Sequence, residues 1–247
     1  MCVNMLTLLD PSLLPYASIY VQNNLPGPLI FGVILLIIGG IALSWWLDKK
    51  RREAMQAIAL QLGFSFSPDK DHGLASDYGF LDHMDDGSNR YAFNILQGTA
   101  SDGSDVKIFD YHYETYSTDS KGNRTTSHHY LSIFTLTLTK RFPELNITPE
   151  GFFSKIGQAL GFDDIDFESL EFSKRYQVKS QDKKFAYDFC NALMIDYLLN
   201  QQNLIIEVEH NVLAISFQGK LAVESIVANY ERLLQIRSLM PNYLFAS

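Results

Sequence analysis

The sequence predicts an α+β protein in which antiparallel β-hairpins pack with helices, preceded by one transmembrane helix. Three observations lead to this prediction. A run of 19 residues, Leu29–Leu47, has no charged side chain. Several later segments alternate apolar and polar residues, which is typical of strands with one buried face. Short turn sequences join neighbouring strands, and hairpins of this kind give an antiparallel sheet.

The uncharged run is long enough to cross a bilayer. At about 1.5 Å per residue it extends roughly 28 Å, close to the thickness of the hydrocarbon core. Trp45 and Trp46 lie at its end, where amphipathic rings favour the headgroup level. A cleaved signal peptide would instead carry positive charge before the apolar run, and a buried helix rarely stays uncharged for so long. We therefore predict that residues 28–48 span the membrane.

The charges around this helix predict its orientation. Cations occupy positions 49–52, directly after the helix, and no Lys or Arg precedes it. The positive-inside rule then places residues 1–27 outside and residues 49–247 in the cytoplasm, in a protein of the inner (cytoplasmic) membrane. Residues 49–247 are predicted to form the α+β domain, with a division into two subdomains near residues 165–175 left open.

The first half of the domain is predicted to contain one helix and four strands. Residues 52–62 have apolar side chains at helical spacing, whereas the polar, glycine-containing stretch 67–90 predicts a loop. A turn at 101–104 joins the second and third strands, and an exposed Ser/Thr-rich loop over 114–129 joins the third and fourth. The predicted strands alternate apolar with polar residues and run over 64–66, 91–98, 106–115 and 130–139.

The second half is predicted from caps and periodicity. Thr148 and Pro149 are the residue types of a helix N-cap and first helical position, and predict a helix that ends near Gly161. The remaining predictions are a strand over 175–179, a helix over 182–200, a hairpin of strands 204–209 and 212–217 turning at His210-Asn211, and a helix over 221–240.

Charge and motif content exclude several functions. The net charge is −8, and residues 1–48 hold two acids and no cation, so the rest carries 20 cations and 28 − 2 = 26 acids. Such an acidic domain is unsuited to nucleic-acid binding, which needs clustered cations. Cys2 and Cys190 imply no disulfide framework, and Cys190 is expected in the core. No Walker, Rossmann or nucleophile motif occurs, so no cofactor is expected and catalysis is the less favoured class.

One cluster of residues suggests a metal site. Alternate residues of a strand share a face, so the acidic and histidine side chains of the segment 110–114 point one way, and Tyr111 and Tyr113 point the other way, into the core. Two further histidines begin the strand expected to pair with it. The alternative, which we favour, is a solvated sheet face in front of buried tyrosines. The candidate metal ligands are Asp110, His112, Glu114, His128 and His129.

Several local sequences resemble a group of uncharacterised bacterial single-pass membrane proteins. They are Arg51-Arg52-Glu53, the run 108–113 (IFDYHY), the run 161–169 (GFDDIDFES), Phe172-Ser173 and Tyr176. The resemblance implies an N-terminal transmembrane helix, a basic collar, a soluble domain and a bacterial cytoplasmic membrane, and it transfers no activity.

The favoured function is a membrane-tethered protein-binding or scaffold module. Its expected partners are the membrane, through Leu29–Leu47, and another protein, recognised through the exposed sheet or the loop 114–129. The alternative is a metal-dependent enzyme or metal-binding sensor that uses the Asp/His/Glu cluster.

Overall fold

The structure is a computed structural model that describes residues 27–150, 164–202 and 204–246. The contacts divide the chain into two compact units, one ending at Arg51 and one comprising Arg52–Ser247. Residues 1–26 of the predicted outer segment, and residues 151–161 of the helix predicted from Thr148, lie outside the described residues.

Helix α1 (Gly27–Leu62) begins the described chain. Its large apolar side chains between Phe31 and Leu47 are between 47% and 78% exposed, including both tryptophans. The ammonium groups of Lys49 and Lys50 lie 5.8 and 6.0 Å from the ring centroids of Trp45 and Trp46. By length and composition, α1 is the one helix among the described residues that could cross a membrane. An apolar surface of this extent needs an apolar environment, because water disfavours contiguous exposed hydrocarbon.

The second unit contains a six-stranded antiparallel sheet. Its strands are β1 (Ser65–Ser67), β2 (Ser88–Thr99), β3 (Asp105–Thr118), β4 (Arg124–Pro149), β5 (Tyr176–Ser180) and β6 (Ile205–Gln218). The first four pair in chain order. The long β4 pairs with β3 near its start, with β5 at its end, and with β6 from Leu131 to Ile147.

Short helices complete this unit. They are α2 (His72–Asp77), α3 (Leu170–Arg175), α4 (Lys183–Phe189), α5 (Ala192–Leu199) and α6 (Ile226–Leu239), with 3₁₀ turns at Asp82–Met84, Val223–Ser225 and Asn242–Leu244. The predicted fold class, an antiparallel α+β domain behind a long apolar N-terminal helix, is confirmed.

Several predicted boundaries were wrong for identifiable reasons. Thr148 and Pro149 pair with Gln177 and Tyr176 as the end of β4 instead of starting a helix, because β5 offers that segment a partner strand. The helix predicted over 182–200 is interrupted after Phe189. Asn191 interrupts it, since its side chain accepts hydrogen bonds from the N–H groups of Leu193 and Met194 and caps α5.

The hairpin predicted across His210-Asn211 is also absent, since β6 runs continuously from Ile205 to Gln218. His210 has a φ of +53° at the point where the β4–β6 register shifts, between Thr137 and Phe142. The polar dipeptide therefore marks an irregularity within one strand, where histidine and asparagine tolerate positive φ better than most residues.

The loop predicted over 114–129 is mostly strand. β3 and β4 pair as far as Thr118 and Arg124, and the β-branched threonines of this tract suit a paired strand. The turn is fixed by Asp119, whose carboxylate accepts hydrogen bonds of 2.9 and 2.8 Å from the N–H groups of Lys121 and Asn123. The prediction that this region is exposed holds from position 116 to position 128.

Hydrophobic clusters cover both faces of the sheet. The larger one joins the sheet to α4, α5 and α6 and includes Cys190, as predicted. The smaller one lies under α2 and the 3₁₀ turn at Asp82–Met84 and contains Phe109 and Tyr111. Because β3 has cover on both sides, five consecutive residues, positions 108–112, are buried. The prediction that Asp110 and His112 face water was therefore wrong, whereas Tyr111 is buried as predicted.

Candidate functional site

Four of the five candidate metal ligands, all but Asp110, lie where β3 and β4 extend beyond the end of β6. In the β3–β4 pair, Glu114 lies opposite His128, and His112 lies opposite Tyr130. Side chains alternate along a strand, so His112 and Glu114 project from the same face, and His128 projects there as the direct cross-strand partner of Glu114. The strand pairing thus gathers three of the five predicted ligands.

The polar atoms of these three residues are close together. His112 Nε2 lies 3.1 Å from His128 Nδ1, and His128 Nδ1 lies 3.4 Å from Glu114 Oε1. One ligand atom from each residue falls within 4.8 Å of the other two. The cluster sits at the edge of the core, because His112 is 2% exposed whereas the His128 side chain is 55% exposed.

Neighbouring residues fix the orientation of His112 and Glu114. The backbone carbonyl of Asn89 lies 3.2 Å from His112 Nδ1, and the Asn89 side-chain amide donates a 2.7 Å hydrogen bond to Glu114 Oε1. The Tyr116 hydroxyl donates to Glu114 Oε2 at 2.9 Å. The Tyr91 ring stacks on the His112 ring with centroids 4.5 Å apart. The histidine ring and the carboxylate are therefore held by contacts outside the cluster.

The environment sets the charge states of His112 and Glu114. Burial lowers the pKa of His112, and its hydrogen bond to Asn89 and the nearby Glu114 only partly oppose that shift. Hydrogen bonds from Asn89 and Tyr116 lower the pKa of Glu114. At neutral pH the cluster accordingly combines a neutral imidazole with an ionised carboxylate, which are the forms that coordinate metal ions.

Asp110 does not belong to this cluster. Its carboxylate accepts hydrogen bonds from the Asn94 side-chain amide at 2.7 Å and from the Leu221 backbone N–H at 2.5 Å. Asp110 is fully buried, two residues along the strand from His112 and toward the centre of the sheet. The structure therefore does not bring the Asp110 carboxylate to the other candidate ligands, because Asn94 of β2 and the segment after β6 supply its hydrogen-bond donors.

His129 lies on the opposite face of β4. It pairs with Tyr113, its ring stacks on that tyrosine with centroids 4.8 Å apart, and its Nε2 lies 2.8 Å from Thr115 Oγ1. Adjacent residues of a strand point to opposite sides, so only one member of the His128-His129 pair can join His112.

The supporting residues were not predicted from the sequence. Asn89 lies in the stretch predicted as loop, and β2 in fact begins at Ser88, with a register shift between Ser88 and Tyr91. Asn89 has a φ of +50°, a conformation that asparagine adopts more readily than most residues. Gly87 has a φ of +64° and approaches the backbone carbonyl of Glu114 too closely for a Cβ atom. The glycine and the asparagine are the one sequence signal of this irregular strand start.

The described residues define a class of protein, an antiparallel α+β domain that follows an apolar N-terminal helix. No protein-family model matches the chain, and no curated protein sequence matches it. The chain is similar to the crystal structure of the mycobacterial trehalose monomycolate transport factor A, TtfA, with a TM-score of 0.55 and 13% sequence identity. The match covers 76% of this chain and 90% of that chain. At this identity the likeness shows a shared fold.

Proposed function

We propose that this protein is a membrane-tethered accessory module that binds another protein at the cytoplasmic face of a bacterial membrane. The observation that carries the proposal is helix α1, whose apolar side chains from Phe31 to Leu47 are largely exposed. A bilayer supplies the cover that these side chains need. The compact unit Arg52–Ser247 follows directly, and the tether confines it to the membrane surface.

The charge distribution supports the cytoplasmic orientation. Four cations follow the apolar run at positions 49–52, and none precedes it. Moving Lys or Arg across the membrane during insertion is unfavourable, so the end that carries them stays inside. The domain is then cytoplasmic, and residues 1–27 lie outside.

The shared fold supports an accessory role over catalysis. A solved structure that shares this fold is described as a transport factor. We extend to this chain only the general role of an accessory factor, without the compound named in that protein's title.

The exposed end of the β3–β4 pair, residues 116–126, is the surface we propose for partner binding. It projects beyond β6, and its residues are exposed, so it adds little to the core. Asp119 nevertheless fixes the turn, and the Arg124 guanidinium stacks 3.7 Å from the centroid of the Tyr116 ring. A surface ordered before binding loses less conformational entropy on association.

Reporter fusions test the orientation. A reporter active only outside the cytoplasm, fused after Ser247, should be silent, and a cytoplasm-active reporter should give signal. A variant with the four cations at 49–52 changed to Gln should move part of the population to the opposite orientation, because the orienting charge is gone. Strong external activity from the unaltered chain would contradict the proposed topology.

Site-specific photocross-linking tests the binding surface. A photoreactive residue at Lys121, in the exposed turn, should cross-link the full chain to a discrete protein in native membranes. The matched control is Lys183, which is also exposed, at the start of α4. Equal products from both positions, or none from Lys121, would refute this surface.

A further inference from the structure

We propose that His112, Glu114 and His128 form a site for a divalent first-row transition metal ion of the zinc class. Imidazole nitrogens suit zinc, copper, nickel and iron, and a set of two histidines and one carboxylate is a known ligand combination for zinc and for non-haem iron. The inference goes beyond the tethering role and does not depend on it.

Two of the three separations between the ligand atoms match those of a metal tetrahedron. Zinc bonds of about 2.0–2.1 Å at tetrahedral angles place neighbouring ligand atoms about 3.3 Å apart. The observed separations are 3.1 Å from His112 Nε2 to His128 Nδ1, and 3.4 Å from His128 Nδ1 to Glu114 Oε1. The third separation, between His112 and Glu114, is within 4.8 Å, and a rotation of the Glu114 carboxylate toward His112 Nε2 would complete the geometry.

The surrounding hydrogen bonds are those of a supported metal site. His112 donates Nδ1–H to the Asn89 carbonyl, which leaves the lone pair of Nε2 directed at the cluster. Glu114 accepts from the Asn89 amide and the Tyr116 hydroxyl, which hold the carboxylate in place. Outer contacts of this type orient ligands before the metal arrives and account for a large part of affinity.

When a metal ion binds His128 Nδ1, the proton of the His128 ring has to reside on Nε2. Without metal, His128 Nδ1 lies 3.1 Å from His112 Nε2 and 3.4 Å from Glu114 Oε1, so a proton on Nδ1 can be donated to either atom. With metal, the Nδ1 lone pair binds the ion, and the ring proton resides on Nε2. That transfer is accessible through water, since the His128 side chain is 55% exposed.

The three ligands leave a fourth position open. Structural zinc sites are closed by four protein ligands, whereas three protein ligands leave one position for water. Among the described residues, the cluster of side chains close enough to hold one ion consists of His112, Glu114 and His128. The site therefore suits an exchangeable ion with a bound water molecule.

Calorimetric titration of the full-length, untagged, chelator-treated chain in detergent with Zn²⁺ alone, at pH 7.5, tests the proposal. We expect one equivalent to bind, and His128→Ala to lower the affinity more than tenfold. His129→Ala is the matched control, because that ring points to the other face and bonds Thr115. Glu114→Gln should also lower the affinity for zinc more than tenfold.

A second measurement separates lost ligands from lost folding. Circular dichroism should be the same for the unaltered chain and His128→Ala, because His128 is largely exposed. Co²⁺ should give the visible absorption of a tetrahedral centre in the unaltered chain and in His129→Ala, and lose it in His128→Ala. No zinc binding by the unaltered chain, or equal affinity in the His128 and His129 variants, would overturn the proposal.

Discussion

The Asp110 carboxylate accepts a 2.5 Å hydrogen bond from the backbone N–H of Leu221, 111 residues later in the chain. Its second oxygen accepts from the Asn94 amide at 2.7 Å. Asp110 is fully buried, so these donors compensate for the lost hydration of a carboxylate. The contact connects the middle of β3 to the segment between β6 and α6.

Asp110→Ala should therefore strongly destabilise the domain. The change leaves a buried N–H and a buried amide unsatisfied, and each such loss costs about 1–3 kcal/mol. We expect a decrease of about 3 kcal/mol or more in the free energy of unfolding, measured by denaturant titration, and a smaller decrease for Asp110→Asn, which keeps one acceptor. Asp105→Ala, at an exposed position of the same strand, should stay within about 0.5 kcal/mol. Equal effects at the two aspartates would contradict the structural role.

Tyr111 combines a buried ring with a specific hydrogen bond. It is fully buried, and its hydroxyl donates to the Met84 carbonyl at 2.7 Å. Tyr111→Ala should cost about 3–5 kcal/mol, because it removes a core aromatic ring. Tyr111→Phe keeps the ring and should cost about 1–2 kcal/mol, through the carbonyl left without its donor. Thermal and denaturant unfolding measure the stability of both variants. A Phe variant as unstable as the Ala variant would show that the hydroxyl, and not the ring, makes the larger contribution to stability.

The strands of the domain were largely predictable, but their exposure was not. Alternation identified β3 and the first part of β4 because period 2 is a local property of the chain. It did not show that β3 is covered on both faces. The second cover comes from Leu81 and Met84, in a stretch whose polar residues and glycines predict a loop. His112 is consequently buried and stacked on Tyr91, so His112→Ala should destabilise the domain rather than leave it unchanged.

The candidate site was predictable to the extent that it depends on spacing within one strand. The i, i+2 spacing placed His112 and Glu114 together without knowledge of the fold. The choice between His128 and His129 depends on the register of β3 against β4, and a shift of one residue would exchange them. That register follows from the whole hairpin, and the sequence around the two histidines does not contain it.

Gly98 and Phe64 are in close contact where β1 meets β2. A Cβ atom at Gly98 would lie 2.0 Å from Phe64 Cδ1, and the Phe64 ring packs edge-on against Tyr230 with centroids 5.5 Å apart. Gly98→Ala should therefore cost about 1–3 kcal/mol through overpacking. In a Phe64→Leu background the same change should cost less, and the difference should appear as a coupling energy of about 0.5–3 kcal/mol in a double-mutant cycle. Additive effects would rule out this contact as the cause.

Glu209 lies among several acidic groups. Burial, and then the negative charges of Glu144, Glu207 and Asp82, raise the pKa of the Glu209 carboxyl to about 7. His210 Nδ1 lies 3.5 Å from Glu209 Oε1. These acids come from β4, β6 and the 3₁₀ turn at Asp82–Met84, so three elements contribute to the shift.

This raised pKa predicts that the domain loses stability as the pH rises. The ordinary value is 4.5, so between about pH 4.5 and pH 7 the folded state holds a proton that the unfolded state has released. The favourable contribution is complete below pH 4.5 and lost above pH 7.

Glu209→Gln removes the ionisable group and should raise the free energy of unfolding at pH 8 by about 2 kcal/mol relative to the unaltered chain, with little gain at pH 4.5. The measurement is urea unfolding at both pH values, with Glu224→Gln, at an exposed position, as the control. A gain of the same size at pH 4.5 would show that the effect is not due to ionisation of Glu209.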